Sequence, residues 1–125
     1  MTKLPAEQGQ SAEVWLAEQL TQQGWQVLAR RWHCRWGELD LVLLGEELVV
    51  FVEVKARRQV GIDGQGLLAI TPAKQRKLIR TAGLFLASRE ELEQCACRFD
   101  VALVGIQEAG FYLHTYISGA FEVAY

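Results

Sequence analysis

The sequence predicts a single α/β domain over residues 1–125, with a mixed central β-sheet flanked by helices in the order α-β-β-β-α-β-β. Three observations favour this fold class. A helical apolar repeat lies near the start of the chain, two strongly apolar segments follow around a short turn, and a second helix start comes after them. A chain of 125 residues has the length of one ordinary domain.

The first element is predicted to be a helix over residues 7–23. Its apolar residues recur at spacings of four, as expected for one face of a helix, at Ala12, Leu16 and Leu20. Gly24 is a plausible end of this helix. Glu13 lies beside the apolar stripe, so we expect it at the margin of the core.

Three strands are predicted next, over residues 25–31, 38–44 and 48–55. The turn signal Gly45-Glu46-Glu47 joins the second and third of them. The third strand is rich in β-branched and aromatic residues and begins apolar on both faces. This pattern is typical of a central strand covered on both sides.

The second half of the chain is predicted to contain a loop, a helix and two strands. Residues 59–71 contain three glycines and are predicted to form a mobile loop. Thr71 then provides an N-cap, with Pro72 at the first helical position, for a basic helix over residues 73–86. Strands are expected at 98–105 and 111–117, and irregular structure from 118 to 125.

Composition excludes several classes of protein. No apolar run approaches the ~18 residues that span a membrane, and the N-terminus lacks the apolar core of a signal peptide. We therefore expect a cytoplasmic protein with no membrane partner. Three cysteines without an export signal argue against a disulfide framework, and no Cys-x-x-Cys pair supports a zinc site.

The distribution of charge is more informative than the net charge of −2. Residues 30–80 contain ten Lys or Arg and six Asp or Glu, whereas the remainder contains three basic and nine acidic residues. The basic residues form three clusters, around Arg31, Arg57 and Lys77. Clusters that flank a carboxylate site favour an anionic partner.

The predicted hairpin brings two carboxylates together. If its turn is centred between Glu46 and Glu47, opposite residues have numbers that sum to 93, which places Asp40 opposite Glu53. Side chains opposite each other in an antiparallel pair share a face, with Cβ atoms about 5 Å apart. Alternation along the strand puts Lys55 on the same face as Glu53.

Two carboxylates this close repel each other, so a cation is required beside them. Lys55 is one candidate and a divalent ion is the other; hard oxygen ligands suit Mg²⁺ or Mn²⁺. Glu13 and the main-chain carbonyl of Val54 are further candidate ligands. Such a site can hydrolyse a phosphodiester, with Lys55 helping to orient or deprotonate water or stabilising negative charge.

The strings Gly37-Glu38-Leu39-Asp40-Leu41 and Val50-Phe51-Val52-Glu53-Val54-Lys55 resemble the PD-(D/E)xK pattern of restriction-endonuclease-like proteins. Over nearly the whole chain, the sequence is similar to the bacterial YraN family, also called UPF0102. The similarity includes Gly9 with Glu13, Gly24, Arg57 after the Glu-Val-Lys string, Lys74, and Arg98-Phe99-Asp100. One departure is Leu39, which stands where the motif has proline.

This resemblance implies a restriction-endonuclease-like core with Asp40 and Glu53 as metal ligands and Lys55 as the catalytic lysine. Glu13 matches the helix-one glutamate of Holliday-junction resolvases in this superfamily. The implied activity is Mg²⁺-dependent hydrolysis of DNA, with branched and single-stranded DNA as candidate substrates and a homodimer as a candidate assembly.

Four basic residues are predicted to contact nucleic acid. They lie at the end of the third strand and on the second helix: Arg57, Lys74, Arg76 and Lys77. The alternative function is a nucleic-acid-binding module that keeps the nuclease fold without turnover. The alternative to a catalytic metal site is a purely structural ion pair, in which Lys55 pairs with Asp40 or Glu53.

Overall fold

The computed structural model of the protein describes residues 5–58 and 70–122, with side chains from Ala12 onward. Within these ranges the elements follow the predicted order α-β-β-β-α-β-β, with one 3₁₀ turn, Glu90–Leu92, before the last two strands. Their bounds are α1 Pro5–Gln22, β1 Gln26–Cys34, β2 Gly37–Leu44, β3 Leu48–Arg57, α2 Pro72–Ala87, β4 Ala96–Gln107 and β5 Gly110–Phe121. Most of the predicted mobile loop, residues 59–69, lies outside the described residues.

The strands form one mixed sheet in the order β1-β2-β3-β4-β5. Strands β3 and β4 are parallel and are connected through α2, whereas the other neighbouring pairs are antiparallel. The predicted α/β fold class is therefore confirmed. In the described parts of the chain, no helix is both long and apolar enough to cross a membrane.

The register of the β2–β3 hairpin agrees with the prediction. Leu41 pairs with Val52 and Leu44 pairs with Val49, so that partner numbers sum to 93. Glu47 in the turn has a positive φ of 54°, and the Gly45 N–H donates to the Leu48 carbonyl. A two-residue turn fixes the register of the strands that it joins.

The two helices cover opposite faces of the sheet. On one face, Leu16 and Leu20 of α1 pack against Leu41 and Val50, and all four are buried. On the other face, Phe85 of α2 is fully buried and lies edge-on to both Trp32 and Phe51. Coverage of both faces explains why β2 and β3 are apolar throughout their paired halves.

The predicted helix boundaries agree with the local geometry. The Thr71 hydroxyl accepts a hydrogen bond from the Lys74 N–H at 3.2 Å, and Pro72 is the first residue of α2. After α1, Gly24 has a φ of 102°, a value that glycine adopts without strain. The Trp25 N–H then donates to the Leu20 carbonyl as the chain turns into β1.

The last strand is longer than predicted. Residues 118–121 were expected to be irregular, but β5 continues to Phe121, which pairs with Phe99 of β4. The rings of these two residues stack with centroids 4.7 Å apart. Tertiary contacts with β4 thus override the weak strand propensity of Ser118 and Gly119.

A buried carboxylate, that of Asp100, accounts for the path of this strand. It accepts two hydrogen bonds from the Arg98 guanidinium, at 2.8 and 2.9 Å, and one from the Tyr116 hydroxyl. The Gly119 N–H donates to it at 2.9 Å, and the φ of Gly119 is 63°. All donors of the network converge on Asp100, so this residue joins β4 to the end of β5.

Removal of the Tyr116 hydroxyl tests this network. We expect Tyr116→Phe to lower the free energy of unfolding by about 1–3 kcal/mol, because the buried Asp100 carboxylate loses a donor. Urea denaturation gives the value. Tyr112→Phe is the matched control, since the Tyr112 ring covers Gly105 and its hydroxyl has no hydrogen-bond partner among the described residues. Equal destabilisation by the two substitutions would contradict this role of Asp100.

Candidate metal and phosphodiester site

The site begins where β2 and β3 separate. Their pairing stops at Leu41 and Val52, while β3 continues beside β4 to Arg57. Past this point, the Val54 N–H donates to Asp40 Oδ2 at 2.8 Å. The side chain of Asp40 thus takes the place that a backbone carbonyl of β2 would fill, and its carboxylate is held against β3.

The neighbouring carboxylate, Glu53, has a cation beside it. Lys74 Nζ lies 2.8 Å from Glu53 Oε1, and only 14% of the Glu53 side chain is exposed. Lys74 comes from the first turn of α2, where the helix dipole disfavours a positive charge and no acidic residue is present. The ion pair with Glu53 offsets this unfavourable position.

Asp40 and Glu53 line a cleft of about 180 Å³ between the sheet and α2. The remaining lining residues are Glu38, Lys74, Lys77, Leu78 and Thr81. Glu38 also forms an exposed ion pair with Arg31, at 3.5 Å. The cleft therefore combines three carboxylates with two ammonium groups.

Electrostatics inside the site disfavour ionised carboxylates. Burial, followed by repulsion from Glu53, raises the pKa of Asp40 from 3.8 to about 7, against the stabilising hydrogen bond from Val54. Glu13 and Glu38 add smaller repulsions. At neutral pH the Asp40 carboxyl therefore carries a proton in a large fraction of molecules.

Glu13 approaches the same site from α1. Burial raises its pKa from 4.5 to about 7; Glu38 and Glu53 add repulsion, while Arg31 opposes the shift. Its Oε2 atom is buried and has no hydrogen-bond partner in the described structure. A buried carboxylate oxygen without a donor is costly, so Glu13 is placed where a cation or a proton stabilises it.

Lys55 lies two residues beyond Glu53 on β3. Burial and the positive charge of Lys74 lower its pKa, with a further contribution from Arg57, while Glu53 raises it. These interactions place the Lys55 ammonium within electrostatic reach of both partners of the Glu53–Lys74 ion pair. Desolvation is typical of lysines that exchange protons or stabilise developing negative charge.

The residues predicted to bind nucleic acid are not all in one place. Lys74 and Lys77 line the cleft, whereas Arg57 and Arg76 are exposed outside it. Arg57 donates to the neighbouring Ala56 carbonyl at 2.7 Å. The pairing of Lys74 with Glu53 was not predicted from the sequence. The signal for it was a lysine in the first turn of a helix that has no acidic residue in that turn to pair with it.

A hard divalent cation needs several oxygen ligands around it. In the described ranges, no three His, Cys, Asp or Glu side chains are clustered closely enough to hold a metal ion by themselves. The chemistry of the donors nevertheless fits such an ion. Asp40 and Glu53 both offer oxygen donors to the cleft, Glu13 has an unpartnered buried oxygen, and the raised pKa values of Asp40 and Glu13 reflect the cost of ionising these carboxyls without a cation beside them.

The raised pKa values predict how stability depends on pH. A carboxyl with a raised pKa in the folded state stabilises the fold while it is protonated, and this contribution is lost as the pH rises through the folded pKa. In EDTA, the free energy of unfolding should therefore fall between about pH 5 and about pH 8. Asp40→Asn should remove on the order of 1–2 kcal/mol of this fall, as measured by urea denaturation.

The control for this experiment is Glu18→Gln, which changes an exposed carboxylate of α1. It should leave the pH dependence of the wild type intact. Two results would contradict the raised pKa of Asp40. One is a wild-type free energy of unfolding that rises over this pH range. The other is an Asp40→Asn variant whose free energy of unfolding falls as much as that of the wild type.

Comparisons with known proteins show which family this chain resembles. The profile of the Uncharacterised protein family UPF0102 matches residues 12–104. A UPF0102 protein of Synechococcus sp. (strain JA-3-3Ab) is 47% identical over 119 residues, covering 92% of this chain and 91% of the relative. Another from Gloeobacter violaceus is 52% identical over 112 residues, or 89% of both chains. A third, from Pseudomonas putida, is 45% identical over 119 residues, covering 94% of this chain and 95% of the relative. The chain therefore belongs to the UPF0102 family.

Proposed function

We propose that this protein is a metal-dependent nuclease of the PD-(D/E)xK type that hydrolyses phosphodiester bonds in DNA. The observation that carries the proposal is the pair of Asp40 and Glu53 at the end of an otherwise apolar hairpin. The pair is partly withdrawn from water and has Lys55 beside it on β3. A fold does not need two repelling carboxylates in this position for stability, since apolar residues would pack there at lower cost.

Mg²⁺ or Mn²⁺ is the proposed cofactor. Its ligands would be Asp40 and Glu53, with the Val54 carbonyl and Glu13 as additional oxygen donors. When bound, such an ion polarises a phosphoryl oxygen and lowers the pKa of coordinated water. The protein side chains supply the remaining functions.

Lys55 is the group proposed to act on the reacting atoms. Its lowered pKa eases the exchange of a proton with the attacking water, and its charge stabilises the negative charge that develops on the phosphoryl oxygens. The water oxygen forms a bond to phosphorus as the bond to one ester oxygen breaks. The products are a phosphomonoester and a hydroxyl: one proton of the attacking water is transferred to the leaving ester oxygen, and the other stays on the phosphomonoester or is released from it to solvent.

The cationic wall of the cleft favours a polyanionic substrate. Lys74 and Lys77 line the cleft together with Asp40 and Glu53. Lys74 is the counter-ion of Glu53 in the structure. With Glu53 engaged as a metal ligand, Lys74 would be available to contact a substrate phosphate.

Incubation with DNA tests the activity directly. In Mg²⁺ or Mn²⁺, wild-type protein should cleave one or more of branched, nicked and single-stranded DNA. Glu53→Gln should lower the rate by at least about a hundredfold, because it removes a charged ligand without changing side-chain size. Gel electrophoresis of labelled DNA gives the rates.

Glu18→Gln, an exposed change on α1, should keep full activity. Equal cleavage by wild type and Glu53→Gln would point to a contaminant and contradict the proposal. Binding of DNA without cleavage in either metal would instead support the alternative, a nucleic-acid-binding module that keeps this fold without turnover.

A further inference from the structure

A second basic feature lies beside the cleft, in the turn between β1 and β2. The indole of Trp36 carries the guanidinium of Arg80 over its ring at 3.5 Å from the centroid, and that of Arg35 at 4.9 Å. Trp36 is 38% exposed, a large fraction for a tryptophan. We call Arg35, Trp36 and Arg80 the arginine–tryptophan cluster.

The fold builds this cluster by bringing the turn close to α2. A Cβ atom on Gly37 would lie 2.7 Å from the Thr81 hydroxyl and 3.3 Å from Lys77 Cε, so a larger residue would force the Thr81 side chain to move. Thr81 is fully buried and its hydroxyl donates to the Lys77 carbonyl. This close contact brings the turn that carries Trp36 against the part of α2 that carries Arg80.

The charges of the cluster are not neutralised by the protein. Among the described residues, Arg35, Lys77 and Arg80 form no ion pair, although Arg31, Lys74, Arg89 and Arg98 each form one. Two guanidinium groups on one indole repel each other, and the ring quadrupole offsets only part of this repulsion. An anion bound at the cluster would remove the remainder.

The cluster is continuous with the carboxylate cleft. Lys77 is the link, since it lines the cleft with Asp40 and also contacts Gly37 in the turn. A strand whose scissile phosphate lies at Asp40 and Glu53 would therefore pass Lys77 and reach Arg80. A nucleic-acid backbone carries one negative charge per nucleotide, so it is an anion that can engage several cations in a row.

From this geometry we propose that the arginine–tryptophan cluster binds the phosphodiester backbone of the nucleic-acid strand that enters the cleft, with Trp36 positioning Arg80. The inference rests on the proposed function for the class of ligand, and it adds the residues that hold the strand. Arg80 donates to phosphate oxygens, and Trp36 acts through Arg80 by restricting its guanidinium to one plane. Single-stranded and duplex DNA share this phosphate chemistry.

Fluorescence anisotropy with short labelled oligonucleotides in EDTA tests the proposal without turnover. Arg80→Gln should weaken binding about tenfold and reduce the slope of log affinity against log salt by about one, since one phosphate contact is lost. Trp36→Leu should weaken binding about threefold, and Trp36→Phe should restore most of this loss. Parallel titrations with single-stranded and duplex oligonucleotides show which of the two binds more tightly.

Arg89→Gln is the matched control. Arg89 also lies over an aromatic ring, that of Phe85 at 5.2 Å, but it follows the C-terminal end of α2 and does not line the cleft. It should change neither affinity nor salt slope. If Trp36 only packed the turn onto α2, its loss would lower stability in urea and leave the affinity of folded protein unchanged.

The outcomes separate this inference from the nuclease proposal. Equal affinities and salt slopes for Arg80→Gln and Arg89→Gln would overturn the inference and leave the carboxylate site standing. Weak binding by Arg80→Gln together with no cleavage by wild type in any metal would support the inference and overturn the nuclease. No binding of either oligonucleotide by wild type at low salt would overturn the inference as well.

Discussion

Repulsion between Asp40 and Glu53 is the constraint around which the rest of the structure is arranged. The two carboxylates lie just beyond the last paired residues of the β2–β3 hairpin, and burial strengthens their repulsion because few water molecules remain to screen it. The protein offsets the cost locally. The Val54 N–H donates to Asp40, and Lys74 from α2 pairs with Glu53. Lys74 is held in the cleft by a helix that begins at its N-cap Thr71, so the position of α2 and the state of the carboxylates depend on each other.

The remaining elements keep this arrangement rigid. Strand β3 is paired on both sides along its apolar half, and beyond it the parallel pairing with β4 continues under the site. Strand β4 is in turn joined to β5 by the buried Asp100 network. On the far side of the cleft, Gly37 allows α2 to approach the β1–β2 turn closely. The carboxylates are thus carried by a sheet that is fixed at both edges, which is the rigid support that the proposed metal site requires.

Sequence predicted the elements whose cause is local. The turn at Glu46 and Glu47 was enough to predict the register, and Thr71-Pro72 was enough to predict the start of α2. What it missed depends on contacts between distant segments. The continuation of β5 past residue 117 follows from Asp100 and Phe99, which lie far earlier in the chain. The Glu53–Lys74 ion pair and the Arg80–Trp36 stack likewise require the packing of α2, which periodicity alone does not orient with that accuracy.

The most direct test is a calorimetric titration of the folded protein with Mg²⁺ and with Mn²⁺. The titration compares wild type, Asp40→Asn and Glu18→Gln at about pH 8, because most Asp40 carboxyl groups are ionised at that pH. The account predicts saturable binding by wild type and Glu18→Gln. It predicts that Asp40→Asn loses at least about tenfold in affinity, with wild-type binding weaker at about pH 6 because protons compete for the carboxylates. Identical affinity in wild type and Asp40→Asn would contradict the central claim that these two carboxylates form a metal site.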